Sequence, residues 1–194
     1  AAVYGLRSGL LKSTLKTGPA AGLVTGIFFP GDVAGLDGIA WGHHPTELLA
    51  VTDAEICTIP FARLETLARR SPRAQRHLHR LLSREIAQAY GVSLPLGRLA
   101  AAERVAAFLL RFGQAQSRAG GNPLEFVLPL TLEEMGSHLG LTMETVSRVL
   151  SQLVAQRLIV RQGRTLRIVH SGALEGLARP QRPVPQVQAD ATAG

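Results

Sequence analysis

The 194-residue chain has a single cysteine, Cys57. That excludes an internal disulfide framework, and it excludes any all-cysteine metal site closed by this chain alone. No apolar run approaches the roughly 18–20 residues that a bilayer crossing needs, and the start has no charged-then-apolar secretory pattern. The expectation is a cytoplasmic protein with no membrane partner. Lysine is nearly missing too, with only Lys12 and Lys16 beside nineteen arginines.

What is present is 46% hydrophobic content, enough to build cores, in a length that suits two small domains. The net charge of +7 is uneven: residues 1–60 hold three Lys/Arg against five Asp/Glu, whereas residues 61–194 hold eighteen arginines against nine acids. The second part is the candidate polyanion binder, although an arginine-rich composition says little by itself. The first residue is Ala1 rather than Met, and the stretch to Leu6 reads as the middle of a strand. More sequence is expected upstream.

From Ala1 to about Phe61, short apolar runs are cut by Gly, Pro and Asp, a pattern of short strands in a roll or barrel. From Pro72 the pattern becomes helical, with Leu78, Leu82, Ile86, Ala89, Ser93 and Leu96 at steps of three and four. So narrow a stripe among arginines suits a helix that pairs with its own copy, the alternative being a helix packed on its own domain. Gly91 and Pro95 predict that this helix bends or ends early. A second helix is expected from about Ala100 to Gln116, and a short strand over Phe126-Val127-Leu128. The Pro/Gln/Ala-rich end has little to bury and reads as a disordered tail.

Leu130 to Leu153 reads LTLEEMGSHLGLTMETVSRVLSQL. Thr131 followed by Glu134 is a capping box, Gly140 stops the helix that it starts, and Thr142 caps the next one. Two short helices joined by about three residues make a helix-turn-helix. On the second helix Val146, Val149, Leu150, Leu153 and Val154 are expected to face the core. Glu144, Ser147, Arg148 and Ser151 share a polar face near its N-terminus, where base edges are read. Arginine can pair with guanine, glutamate can accept from cytosine, and serine can contact base or phosphate. Singly, Glu144 is also explained by the helix dipole and Arg148 by solvation. The sequel narrows the choice: Leu158 to Val169 forms a hairpin turning at Gln162-Gly163 and carrying Arg161, Arg164 and Arg167, a basic wing placed to touch phosphates.

The segment LGLTMETVSRVL resembles the recognition signature of the CRP/FNR regulators, specifically the FNR-like branch. PGDVAGLDGIA, GHHPTELLA and CTIPF resemble that branch's sensory β-roll, and Pro72 to Leu96 falls where the family has its dimerisation helix. The resemblance covers about Tyr4 to Ala178. It implies an α+β architecture: an incomplete, cyclic-nucleotide-binding-like β-roll (1–68), a long dimerisation helix (69–97), a C-terminal winged helix-turn-helix domain (98–172, motif about 131–151) and a largely disordered tail (173–194). It implies a non-enzymatic transcription regulator, cytoplasmic, that binds double-stranded DNA as a homodimer at a two-fold site with TTGAT-like half-sites and partners RNA polymerase. Glu144, Ser147 and Arg148 would read bases; Thr131, Thr142, Thr145, Arg161 and Arg164 would contact phosphates; Leu78, Leu82, Ile86, Ala89 and Ser93 would form the dimer seam.

Family members that bind cyclic nucleotide hold its phosphate with a Gly-Glu and an Arg-Ser or Arg-Thr pair. Here Gly31-Asp32 and Gly42-His43-His44-Pro45 stand in their places, which argues against that ligand. Cys57 matches the later of four cysteines that ligate a 4Fe-4S cluster in the FNR-like branch, and the other three are not in this chain. A cluster is therefore expected in the full-length protein and none in the chain as given. Read alone, Cys57 is a small buried residue on a strand and His43-His44 a turn pair. The rivals are a constitutive or differently sensing regulator of the same fold and, remotely, a metalloenzyme.

Overall fold

The computed structural model describes residues 2–16, 22–93 and 100–178, with the side chains of Arg84 and of residues 87–93 outside that description. The elements run β1 (Ala2–Ser8), β2 (Leu11–Leu15), β3 (Leu23–Phe28), β4 (Val33–Ala34), α1 (Gly38–Trp41), β5 (Glu47–Ala50), β6 (Glu55–Pro60), α2 (Phe61–Arg70) and α3 (Pro72–Ser93). Then follow α4 (Ala101–Arg118), β7 (Glu125–Val127), α5 (Leu132–Leu139), α6 (Met143–Ala155), β8 (Ile159–Gln162), β9 (Thr165–Ile168) and α7 (Ser171–Ala178). The class is α+β, as expected.

Two antiparallel three-stranded sheets, β4-β1-β6 and β3-β2-β5, form the roll. Val3 and Leu6 are the buried residues of β1, and Val24 and Ile27 those of β3. The register of β2 on β3 shifts by one residue between Ser13 and Thr14, a β-bulge. α1 is a single turn that ends at Gly42 and presents Trp41 to solvent.

The C-terminal part is built on α4, whose Val105, Phe108, Leu109 and Phe112 are buried. They pack with Met135 of α5, Val146, Val149, Leu150 and Leu153 of α6, and Ile159 and Leu166 of the hairpin. This core is continuous with Leu10, Val24, Ile27 and Phe29 of the roll. The boundary drawn in the sequence is thus not a boundary in packing.

Three expectations need correction. Residues 61–70, left without an element, form α2, a helix that buries none of its side chains. The tail placed at 173–194 begins too early: α7 runs to Ala178, and Leu174 is fully buried in the common core. Leu174 and Leu177 lie three residues apart on one helical face, and that burial offsets the cost of ordering the segment. Residues 179–194 lie outside the described residues, as do Pro95 and Leu96 and the side chains of Ala89 and Ser93. Val154, assigned to the core face of α6, is exposed: it lies at the margin of that face, about a hundred degrees around the helix from Leu153, which stays buried in the same turn.

Candidate nucleic-acid interface

The interface begins with two caps. Thr131 Oγ1 accepts from the Glu134 amide at 3.1 Å, and Glu134 Oε2 accepts from the Thr131 amide at 2.7 Å, closing the capping box of α5. Gly140 ends the helix in the left-handed region at φ 64°, where a side chain would be strained. Gly136 lets the turn approach, since a Cβ there would lie 2.6 Å from the Leu141 carbonyl oxygen. Thr142 then caps α6, its hydroxyl accepting from the Thr145 amide at 3.2 Å and donating to Thr145 Oγ1 at 3.1 Å.

With α6 fixed by Val146, Val149, Leu150 and Leu153 beneath it, the opposite side is solvent-facing. Glu144, Arg148 and Ser151 are exposed and Ser147 is half-buried. Glu144's own backbone amide, then the Thr142 hydroxyl, hold its carboxyl below the usual carboxylate range, so it presents a charged acceptor. Arg148 has no hydrogen-bond or ion-pair partner among the described residues, leaving its five donors free. Ser151, by contrast, donates back to the Ser147 carbonyl at 3.0 Å.

The wing follows. Arg161 Nε donates to the Gly163 carbonyl at 3.1 Å across the β8–β9 turn, and Arg164 and Arg167 are exposed beside it. A cleft of about 390 Å³ between α6 and this turn is lined by Leu150, Ser151, Val154, Arg161 and Gly163. Sequence reasoning missed Arg157, which turns the chain from α6 into β8 at φ 60°. No glycine marked it.

The sensor-side residues are dispersed. Cys57 is exposed on β6, opposite Gly5 of β1, so the reading of a small buried residue is incorrect: β6 shows its outer face to solvent. His43 and His44 do not act as a pair. His43 Nδ1 lies 3.1 Å from the Trp41 carbonyl, and His44 Nδ1 lies 3.3 Å from Asp37, which also accepts from Thr46 at 2.5 Å. Among the described residues no group of three His, Cys, Asp or Glu is placed to hold a metal ion. A cluster held by four thiolates therefore does not fit this chain's donor set.

A cavity of about 500 Å³ inside the roll is lined by Asp37, His44, Tyr4 and Phe28, with Glu85 reaching in from α3. Burial, then Asp37 and Asp32, push the Glu85 carboxyl up. On α3, Leu78 is buried within its own chain, Leu82 is half-buried and Ile86 is 57% exposed. No helix among the described residues is long and apolar enough to cross a membrane.

Residues 103–177 match the Crp-like helix-turn-helix domain. The transcriptional regulatory protein btr of Bordetella pertussis is 36% identical over 91% of this chain and 73% of its own length. The fumarate and nitrate reduction regulatory protein of Escherichia coli K12 is 35% identical over 94% of this chain and 73% of its own length. Among solved structures, FixK2 from Bradyrhizobium japonicum is 30% identical with a TM-score of 0.78, over 92% of this chain and 87% of that one. A CRP/FNR-family regulator from Thermus thermophilus shares the fold at 22% identity and a TM-score of 0.70, covering 92% of this chain and 88% of that one.

Proposed function

Since the chain belongs to the CRP/FNR family of transcription regulators, on its FNR-like branch, we propose that it binds DNA as a homodimer at a two-fold site with TTGAT-like half-sites. The observation that carries this is the solvent-facing side of α6. Glu144 is held ionised there, Arg148 is unpartnered, and Ser147 lies between them, all in the first turns after a capped helix start. Thr131, Thr142, Thr145, Arg161 and Arg164 flank that face and take the phosphates. Arg148→Ala should cost specific binding about 1–3 kcal/mol in a mobility-shift titration while random DNA loses little, because a bidentate guanine contact discriminates between bases. Equal losses on both would overturn the assignment. Arg164→Ala should instead weaken all sequences alike and flatten the salt dependence.

The dimer is proposed to form along α3 through Leu82, Ile86, Ala89 and Ser93, with Leu78 at its covered end. The protein works in the cytoplasm, without enzymatic activity, and engages RNA polymerase at its target. Oxygen or redox sensing belongs to the full-length protein, where exposed Cys57 supplies one thiolate of a 4Fe-4S cluster. The 194-residue chain, reconstituted anaerobically with iron and sulfide, should hold no stable cluster. A longer form with N-terminal cysteines should hold one and lose it on Cys57→Ser. If the longer form also holds none, a constitutive or differently sensing regulator is the better reading. Cyclic nucleotide is disfavoured as the ligand, a reading supported by the carboxyl groups of Asp37 and Glu85 that line the roll cavity.

A further inference from the structure

We infer that Lys12, Ser137 and Arg111 are positioning residues that latch the helix-turn-helix onto the roll of the same protomer. This inference rests on the DNA-binding reading above and adds residues that touch no DNA. Its centre is Glu134, whose two oxygens do different work. Oε2 closes the cap of α5, and Oε1 pairs with Lys12 of β2. Both partners are largely covered, with side chains 18% and 23% exposed, whereas the Arg7–Glu55 pair at the surface is 69% and 60% exposed. Burial raises the Glu134 carboxyl, but the bonds from Lys12 and Thr131 outweigh it and leave the group below the usual range, so the pair is ionised.

One turn further along α5, Ser137 Oγ accepts the Val24 amide at 2.9 Å. That amide sits at the bulge between β2 and β3, where the interrupted ladder leaves an N–H pointing away from the partner strand. A buried donor without a partner costs about 1–3 kcal/mol, so the bulge and the helix satisfy each other. On the neighbouring helix, Arg111 of α4 donates to the Ile27 carbonyl at 3.4 Å and lies 5.5 Å from the centre of the Phe29 ring. Phe29 in turn meets Phe112 edge to face at 5.4 Å. Lys12 on β2 and Val24 and Ile27 on β3 are thus held by α4 and α5, while the base-reading side of α6 stays open to solvent.

The consequence is that the helix-turn-helix takes its orientation from the β2–β3 hairpin as well as from the helix that leads into it. A latched domain presents α6 at one angle; an unlatched one must lose rotational freedom on the two-fold site. Lys12→Met and Glu134→Gln each remove the ion pair, and glutamine preserves the cap. In the full chain each should lower specific DNA affinity roughly tenfold, with random-DNA affinity and sedimentation unchanged. The double variant should fall no further than either single one, and Lys12→Arg should stay near wild type. Ser137→Ala should accelerate hydrogen exchange at the Val24 amide while the rest of the β2–β3 ladder keeps its protection. Additive losses, or a lower melting temperature with the specific-to-random ratio intact, would overturn the positioning role. Unaltered Val24 exchange would overturn the latch itself. A wild-type chain with no preference for the two-fold site would fault the DNA reading instead, and Val24 exchange then decides the latch alone.

Discussion

α3 and α4 are the two longest helices of the chain, at 22 and 18 residues, and both carry an apolar stripe at helical spacing. Along α4 eight residues are buried, from Glu103 to Ala115, because α5, α6, α7 and the roll all converge on it. Along α3 only Leu78 is buried among the described side chains, and Ile86 stands 57% exposed. The same pattern therefore means two things. A stripe states that a helix needs a covering surface, and only the rest of the fold decides whether that surface lies in the same chain. In α4 the stripe belongs to a core; in α3 it is the part of the proposed dimer that one chain cannot complete.

The contrast can be broken most sharply on the α4 side. Phe112→Ala removes a ring packed against Phe29, Phe108 and Phe126 and should cost about 3–5 kcal/mol of unfolding free energy in a denaturant titration. A loss below about 1 kcal/mol would mean that the two parts do not share a core.

His138 of α5 measures how dry that side is. Its imidazole packs on Phe108, and Nδ1 has no partner among the described residues. Burial, then the Arg111 charge, lower its pKa from 6.5 to about 4. Between those values the unfolded chain binds a proton that the folded one refuses. Stability is thus full above about pH 6.5 and falls as pH drops towards 4, by roughly 3 kcal/mol in all. His138→Gln should flatten that slope in unfolding curves taken from pH 7 to 4.5; an unchanged slope would assign it to other groups.

On the α3 side the expectation reverses. Ile86→Glu should hardly change the melting of the monomeric fold, because the side chain is already exposed, yet it should shift sedimentation to monomer by setting like charges against each other across a two-fold seam. Persistence of the dimer at unchanged affinity would place the seam elsewhere.

The smallest effect tests a backbone position that joins neither helix. Arg157 is exposed and left-handed at φ 60°, so Arg157→Gly should raise stability by about 1 kcal/mol. A lower melting temperature would show that its side chain holds something the turn needs.

The helix-turn-helix was legible because its signals are local. Thr131, Glu134, Gly140 and Thr142 act within a few residues of one another, and the caps they predict are present. α2 and α7 were harder to read because each buries little. α2 buries nothing, and α7 buries Leu174 only through contact with α4. Val154 was misassigned because helical spacing says which residues share a face but not how wide the covered part of that face is, and Leu153 beside it stays buried. The Lys12–Glu134 pair was out of reach for the opposite reason. Its members lie 122 residues apart, and each has a sufficient local explanation, a surface lysine on a strand and a capping glutamate.

The continuity of Phe29, Ile27 and Val24 with the core around α4 bears on how such regulators can be recombined. A helix-turn-helix cut from this chain at residue 100 and grafted behind another sensor would carry an empty socket, with Phe112 bare on one side and the Ser137 hydroxyl and Glu134 carboxylate facing no strand. The recipient would have to supply an aromatic ring, a cation and a spare amide at matching places. Exchange of sensors should therefore succeed between relatives that keep the β2–β3 hairpin and fail between those that share only the fold, so the unit of inheritance here is the hairpin together with the reading head.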